Sequence, residues 1–194
     1  MSGEGGRPHD PTVLPGGLPA PEDDGACGHL PGRPVPGVSL PATDGRRVDL
    51  SEPFPGRTVV YAYPRTGRPG VEAPAGWDLI PGARGCTPET CGFRDHYTEL
   101  EALGARVFGL STQTTDYQRE MAERLQLNFP VLSDADLDFA RGMRLPTFEV
   151  EGTVLIKRLT LVIRHGRVEH VFYPVFPPDS HADTVVDWLT HNPD

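Results

Sequence analysis

No stretch of the sequence stays apolar for long enough to span a membrane. The N-terminal MSGEGGRPHDPTVLPGG lacks the charged start and apolar core of a secretory signal. Both absences predict a cytoplasmic protein. Positive charge is scarce as well: 18 Lys and Arg face 27 Asp and Glu, for a net charge of -9 at pH 7. Nucleic acid and anionic membrane surfaces recruit clustered basic residues, so neither is expected as a partner. Cysteine is rare, and three residues, an odd number, do not form a closed disulfide framework. In a reducing compartment a close cysteine pair points to metal binding or redox chemistry rather than to a structural staple.

What is abundant is Gly and Pro, 22 of each in 194 residues, with hydrophobic residues at 37% and charged residues at 23%. That composition predicts one globular domain, residues 32–194, plus unstructured sequence. Residues 1–31 are rich in Pro and Gly without an apolar period and are expected to be a disordered tail. Cys27 and His29, at its end, are read as bystanders because nothing fixes their geometry.

Beyond the tail, Val38-Ser39-Leu40 and Val48-Asp49-Leu50 alternate around the turn Thr43-Asp44-Gly45, which predicts a small hairpin. Thr58 to Tyr63 is continuously apolar, β-branched or aromatic, as in a central strand covered on both faces, and Pro64 ends it. Residues 65–85 form a long loop, with Trp77, Leu79 and Ile80 as possible anchors. The spacing of Phe93, Tyr97 and Leu100 predicts a helix over 87–103. Strands follow at 106–110 and 129–132, with a helix over 115–127 between them. Ser133-Asp134 are placed to cap a short helix ending near Met143. A short strand at 154–156 precedes a hairpin of 159–163 and 168–172, turned by Arg164-His165-Gly166-Arg167, and a helix over 180–190 closes the chain. Parallel βαβ crossovers with a terminal antiparallel hairpin describe an α/β domain with a central mixed sheet flanked by helices.

The stretch Gly85-Cys86-Thr87-Pro88-Glu89-Thr90-Cys91-Gly92-Phe93 holds two of the three cysteines. Cys86 falls at a helix start, where unpartnered amides and the helix dipole favour a thiolate, so a depressed pKa and a nucleophilic role are expected. The competing expectation is a small buried core cysteine. If both cysteines are helical, their Cα atoms lie about 8.7 Å apart, beyond the roughly 7 Å that a disulfide tolerates. A bond between them therefore requires the helix start to unwind. The C-x4-C spacing is not the C-x-x-C of thiol–disulfide exchangers. Zinc would need further ligands, and adding His96 matches no common site. No metal or organic cofactor is indicated.

GCTPETCGFRDHYTEL resembles the active-site segment of the Q-type, or bacterioferritin-comigratory-protein, peroxiredoxins, G-C-T-x-E-x-C-x-F-R-D, at Gly85, Cys86, Thr87, Glu89, Cys91, Phe93, Arg94 and Asp95. The resemblance extends over about residues 33–192. It takes in the hairpin from Val35 to Leu50, the segment Phe129 to Asp134, the strand-turn-strand led by Arg158, and Val185 to Leu189 in the last helix. It implies a thioredoxin-like fold with peroxiredoxin-type additions, and a thiol-dependent peroxidase reducing hydrogen peroxide or organic hydroperoxides. Cys86 would then be the peroxidatic cysteine and Cys91 the resolving cysteine, joined in an intrachain disulfide. Arg158 would be the active-site arginine, and thioredoxin or a glutaredoxin-type protein the reductant of a monomer or homodimer.

The chain departs from the family pattern P-x-x-x-T-x-x-C. Ala83 stands at the threonine position, Arg84 stands where proline is common, and residues 65–85 are inserted between Tyr63-Pro64 and Cys86. Pro64 and Thr66 are therefore the candidate substrate-binding residues, with the Thr66 hydroxyl replacing the missing one if the loop folds back. A second function stays open: a redox sensor or regulatory binding protein switched by a Cys86–Cys91 disulfide.

Overall fold

The computed structural model describes residues 10–194. A five-stranded mixed sheet organises them. Strand β3 (Arg57–Ala62) is central and fully buried, as its unbroken run of β-branched and aromatic residues requires. It pairs in parallel with β4 (Ala105–Ser111), which pairs in parallel with β5 (Val131–Ser133). On its other side β3 pairs antiparallel with β8 (Leu159–Arg164), and β8 with β9 (Arg167–Phe172). The order is β5-β4-β3-β8-β9.

Because side chains alternate along β3, the sheet serves two cores. Val60 and Ala62 face one core, with Leu40, Leu132, Phe139 and Leu161. Val59, Tyr61 and Tyr63 face the other, with Cys86, Phe93, Met121 and Val185. The first core carries the hairpin β1 (Ser39–Pro41) and β2 (Arg47–Asp49) and the helix α4 (Asp138–Met143). The Asp134 carboxylate accepts from the Phe139 and Ala140 amides, satisfying first-turn donors of α4. The second core receives α1 (Cys86–Asp95), α2 (Tyr97–Ala102), α3 (Thr115–Arg124) and α5 (His181–His191).

Some local expectations change. The helix expected over 87–103 is two helices, broken at His96, where φ is -94° and ψ 5°. Pro146 does not merely interrupt: β6 (Thr147–Val150) follows it and pairs with β7 (Thr153–Ile156). The second strand of this hairpin matches the one expected at 154–156, while β6 was not legible because its residues are exposed or half-buried and its apolar content is small. The inner face of the hairpin is what the long loop packs on. Trp77, in a single 3-10 turn at Trp77–Leu79, is buried with Ala83 and Leu155, its ring 6.3 Å from that of Phe148.

The expected disordered tail also changes for its described part, since residues 1–9 lie outside the described residues. Residues 10–31 run in turns across the domain. Leu30 and Cys27 are buried in the first core, and Asp24 accepts from Lys157 and the Tyr173 hydroxyl. A few apolar anchors in a proline-stiffened segment suffice, because such a chain has less freedom to lose on ordering.

Candidate active site

Helix α1 sets the position of Cys86. Phe93 stacks on Tyr61 of β3, with ring centroids 4.4 Å apart and planes within 9°, and the Tyr61 hydroxyl donates to Thr90 Oγ1. Tyr61 has room for this because its neighbour across the ladder is Gly109, where a Cβ would lie 2.8 Å from the Tyr61 hydroxyl. These contacts hold the middle of α1 to the sheet. Its start is fixed by Gly85, whose φ of 107° is a left-handed conformation, and whose missing side chain leaves space for Pro178.

Cys86 is the first residue of α1 and is 3% exposed. Its Sγ accepts from Arg158 Nη2 at 3.2 Å, and its thiol donates to the Ala83 carbonyl at 3.6 Å. Arg158 precedes β8 and is itself buried. Besides the sulfur, its guanidinium donates to the carbonyls of Gly82, Ala83 and Arg84 and to Glu89 Oε2. One planar fork thus ties together the loop end, the first turn of α1 and the strand.

Glu89 matches the sequence motif, and the structure places it at the centre. It is fully buried, it forms an ion pair with Arg158, and its Oε1 has no hydrogen-bond partner. Burial pushes its carboxyl up to about 7, further than the attraction of Arg158 pulls it down. The signal was available in principle: a Glu three residues after a helix-start cysteine lies on the same helix face.

The expectation of a depressed Cys86 pKa is corrected. Burial is the largest influence and raises the thiol. Arg158 and the Arg65 backbone N–H pull it down, while the Glu89 charge pushes it up. A helix start favours a thiolate only where solvent or a net positive partner reaches it; here the helix end is buried and Arg158 is shared with a carboxylate. Removing that carboxylate has a definite sign. In Glu89→Gln the thiolate of Cys86 forms at lower pH, read by its ultraviolet absorbance against a Cys86→Ser background. An alkaline shift would mean that Glu89 acts mainly by holding Arg158 in place. The same substitution changes stability against pH. Folded Glu89 keeps its proton to about 7, whereas the unfolded group loses it near 4.5. The folded state binds more protons in that window, so stability falls as pH rises through it, and Glu89→Gln flattens the slope.

Cys91 lies on the same helix, half-buried against the second core, with its thiol also raised by burial. All three cysteines are free thiols. Pro64 and Thr66 are buried. The Thr66 hydroxyl does not turn to Cys86 but donates to Gln113 Oε1, whose amide donates back to the Thr66 carbonyl. Neither residue lines the cavity of about 420 Å³ that opens beside Cys86; Arg65, between them, does. Among the described residues no cluster of His, Cys, Asp or Glu could hold a metal ion.

A partly shielded sulfur beside a guanidinium and a backbone N–H is suited to nucleophilic attack with charge stabilised on a leaving oxygen. The comparisons point the same way. The Redoxin family model matches residues 30–186. "Peroxiredoxin Bcp" of Escherichia coli strain K12 is 33% identical over 159 residues, which is 80% of this chain and 92% of the relative. "Peroxiredoxin Q, chloroplastic" of Oryza sativa subsp. japonica is 30% identical over 157 residues, covering 80% of this chain and 64% of the relative. Among solved structures, that of the peroxidoxin BcpB from Mycobacterium tuberculosis is similar with a TM-score of 0.67 at 29% identity, covering 86% of this chain and all of that one.

Proposed function

The chain belongs to the Redoxin family, among the Bcp and Q-type peroxiredoxins, and is a thiol-dependent peroxidase; from that premise we propose that Cys86 is its peroxidatic cysteine and Cys91 its resolving cysteine. The observation that carries this reading is the bond from Arg158 to the Cys86 sulfur, beside a cavity that Cys86 lines. The Cys86 thiolate attacks the near oxygen of the hydroperoxide O–O bond. The sulfur is oxidised to a sulfenic acid, and the distal oxygen takes a proton and leaves as water or an alcohol. Arg158 stabilises both the thiolate and the charge that develops on the oxygens.

Cys91 then displaces hydroxide from the sulfenic acid, which leaves as water and forms the disulfide. Both cysteines lie within α1, so their Cα atoms are about 8.7 Å apart by helix geometry, and the first turns must open. Nothing in the side chains caps this end of α1, which lowers the cost of opening. A dithiol reductant, thioredoxin or a glutaredoxin-type protein, supplies two electrons to restore both thiols. The reducing cytoplasm suits that cycle.

The test is peroxide consumption coupled to thioredoxin and its reductase. Multiple turnovers support the cycle, whereas a single oxidation without turnover indicates a redox sensor. In Cys91→Ser the first oxidation of Cys86 proceeds at an unchanged rate, while steady-state turnover through thioredoxin falls by about a hundredfold or more. Stopped-flow and mass spectrometry read the two steps separately. An intrachain disulfide that persists in this variant removes Cys91 from the cycle.

A further inference from the structure

The inserted segment between Pro64 and Cys86 does more than lengthen a connection, because it builds most of the wall of the cavity of about 420 Å³ that reaches Cys86. Hydrogen peroxide occupies only a small part of such a volume; cavities of this size hold organic ligands. Pro69, Val71, Pro74 and Trp77 supply an apolar lining, together with Pro88 of α1. Trp77 is held rigidly by the β6–β7 hairpin, whereas Val71 is 60% exposed and is not part of any core.

The charges on this wall are unequal. Among the described residues three arginines line it against a single acid, Glu72. Arg84 is paired with Asp78, and Arg68 lies over the Tyr117 ring with Glu120 beside it. Arg65 lies over the Trp77 ring at 5.9 Å, and among the described residues no carboxylate pairs with it. A cation without an acid partner at the edge of an apolar cavity favours an anionic group on whatever enters.

Resting on the peroxidase reading above, we infer that residues 65–77 are the specificity element of the enzyme, selecting a hydroperoxide with a bulky apolar body and an anionic substituent. Val71 and Trp77 contact the body, and the Arg65 guanidinium contacts the anion. The bond cleaved and the products are those already described, with the alcohol carrying the bulky group. Contacts with one or two apolar groups and one ion pair discriminate by about tenfold to a hundredfold.

The rate of first oxidation of Cys86 tests this without a reductant, using hydrogen peroxide, cumene hydroperoxide and para-carboxycumene hydroperoxide as probes. The wild-type protein reacts fastest with the carboxylated probe, about tenfold faster than with the neutral one. Arg65→Met abolishes the difference between the two aryl probes. Val71→Asp slows both aryl probes relative to hydrogen peroxide, and most of all the carboxylated one. Leu79→Ser, at an exposed position of the same loop away from the cavity, leaves all three rates unchanged. Equal wild-type rates for the two aryl probes, or equal effects of Val71→Asp on all three peroxides, overturn the inference. So does an effect of Leu79→Ser as large as that of Val71→Asp. Failure of every peroxide to oxidise Cys86 is distinguishable from these, since it overturns the peroxidase reading itself, and this inference with it.

Discussion

Cys86→Ser reduces peroxide turnover by about a thousandfold or more, with the fold intact. The serine hydroxyl ionises at far higher pH than a thiol, and its oxygen is a weak nucleophile toward an O–O bond. The site around it changes little. Serine is close to the size of cysteine, and its buried hydroxyl can donate to the Ala83 carbonyl and accept from Arg158, as the thiol does. An unfavourable effect on stability is therefore small, and a thermal melt should superimpose on that of the parent. Thiol titration of the unfolded chain then shows two groups rather than three. Turnover retained in this variant would move the chemistry to Cys91 or Cys27. The second choice is unattractive on physical grounds, because burial among apolar residues, helped by the nearby charges of Asp24 and Asp23, pushes the Cys27 thiol up to about 12.

Arg158→Met is expected to lower the rate of Cys86 oxidation by about a hundredfold to a thousandfold, the usual cost of losing one donor aimed at developing negative charge. It also destabilises the fold, by about 3–5 kcal/mol at alkaline pH, where Glu89 is ionised as a fully buried acid without its partner. The two losses have different origins and are separable. In Arg158→Met/Glu89→Gln the ionisable acid is gone, so the part of the melting-temperature loss that grows as pH rises disappears, while the oxidation rate stays low. Recovery of the rate in the double variant would show that Arg158 serves only to neutralise Glu89. Arg158→Lys is not a conservative control. A lysine cannot reach the Gly82, Ala83 and Arg84 carbonyls, Glu89 and the sulfur with a single head group.

Several elements were legible from local pattern. The run from Thr58 to Tyr63 reads as a central strand because both faces must be apolar, and β3 is central with both faces covered. The Gly166 turn reads as a hairpin, and β8 and β9 pair around it. The break at His96 was not legible, because the apolar period of Phe93, Tyr97 and Leu100 continues through it. The packing of residues 10–31 was hidden for a different reason. Its anchors, Cys27, Leu30 and Asp24, have partners more than a hundred residues away in sequence, such as Lys157 and Tyr173.

The sequence by itself determined where the cysteines fall: a Gly-Cys step at a helix start, a second cysteine too far along the same helix to bond without unwinding, and an α/β pattern with a mixed sheet. These follow from spacing along one element, which the chain carries locally. Only the tertiary structure decided how that cysteine is tuned and what reaches it. Arg158 meets Cys86 and Glu89 from another strand, and burial turns the expected low pKa into a raised one. The inserted loop becomes a cavity wall only because Trp77 finds the β6–β7 hairpin. Desolvation and convergence of charge depend on which distant segments close over a site, and no local period records that.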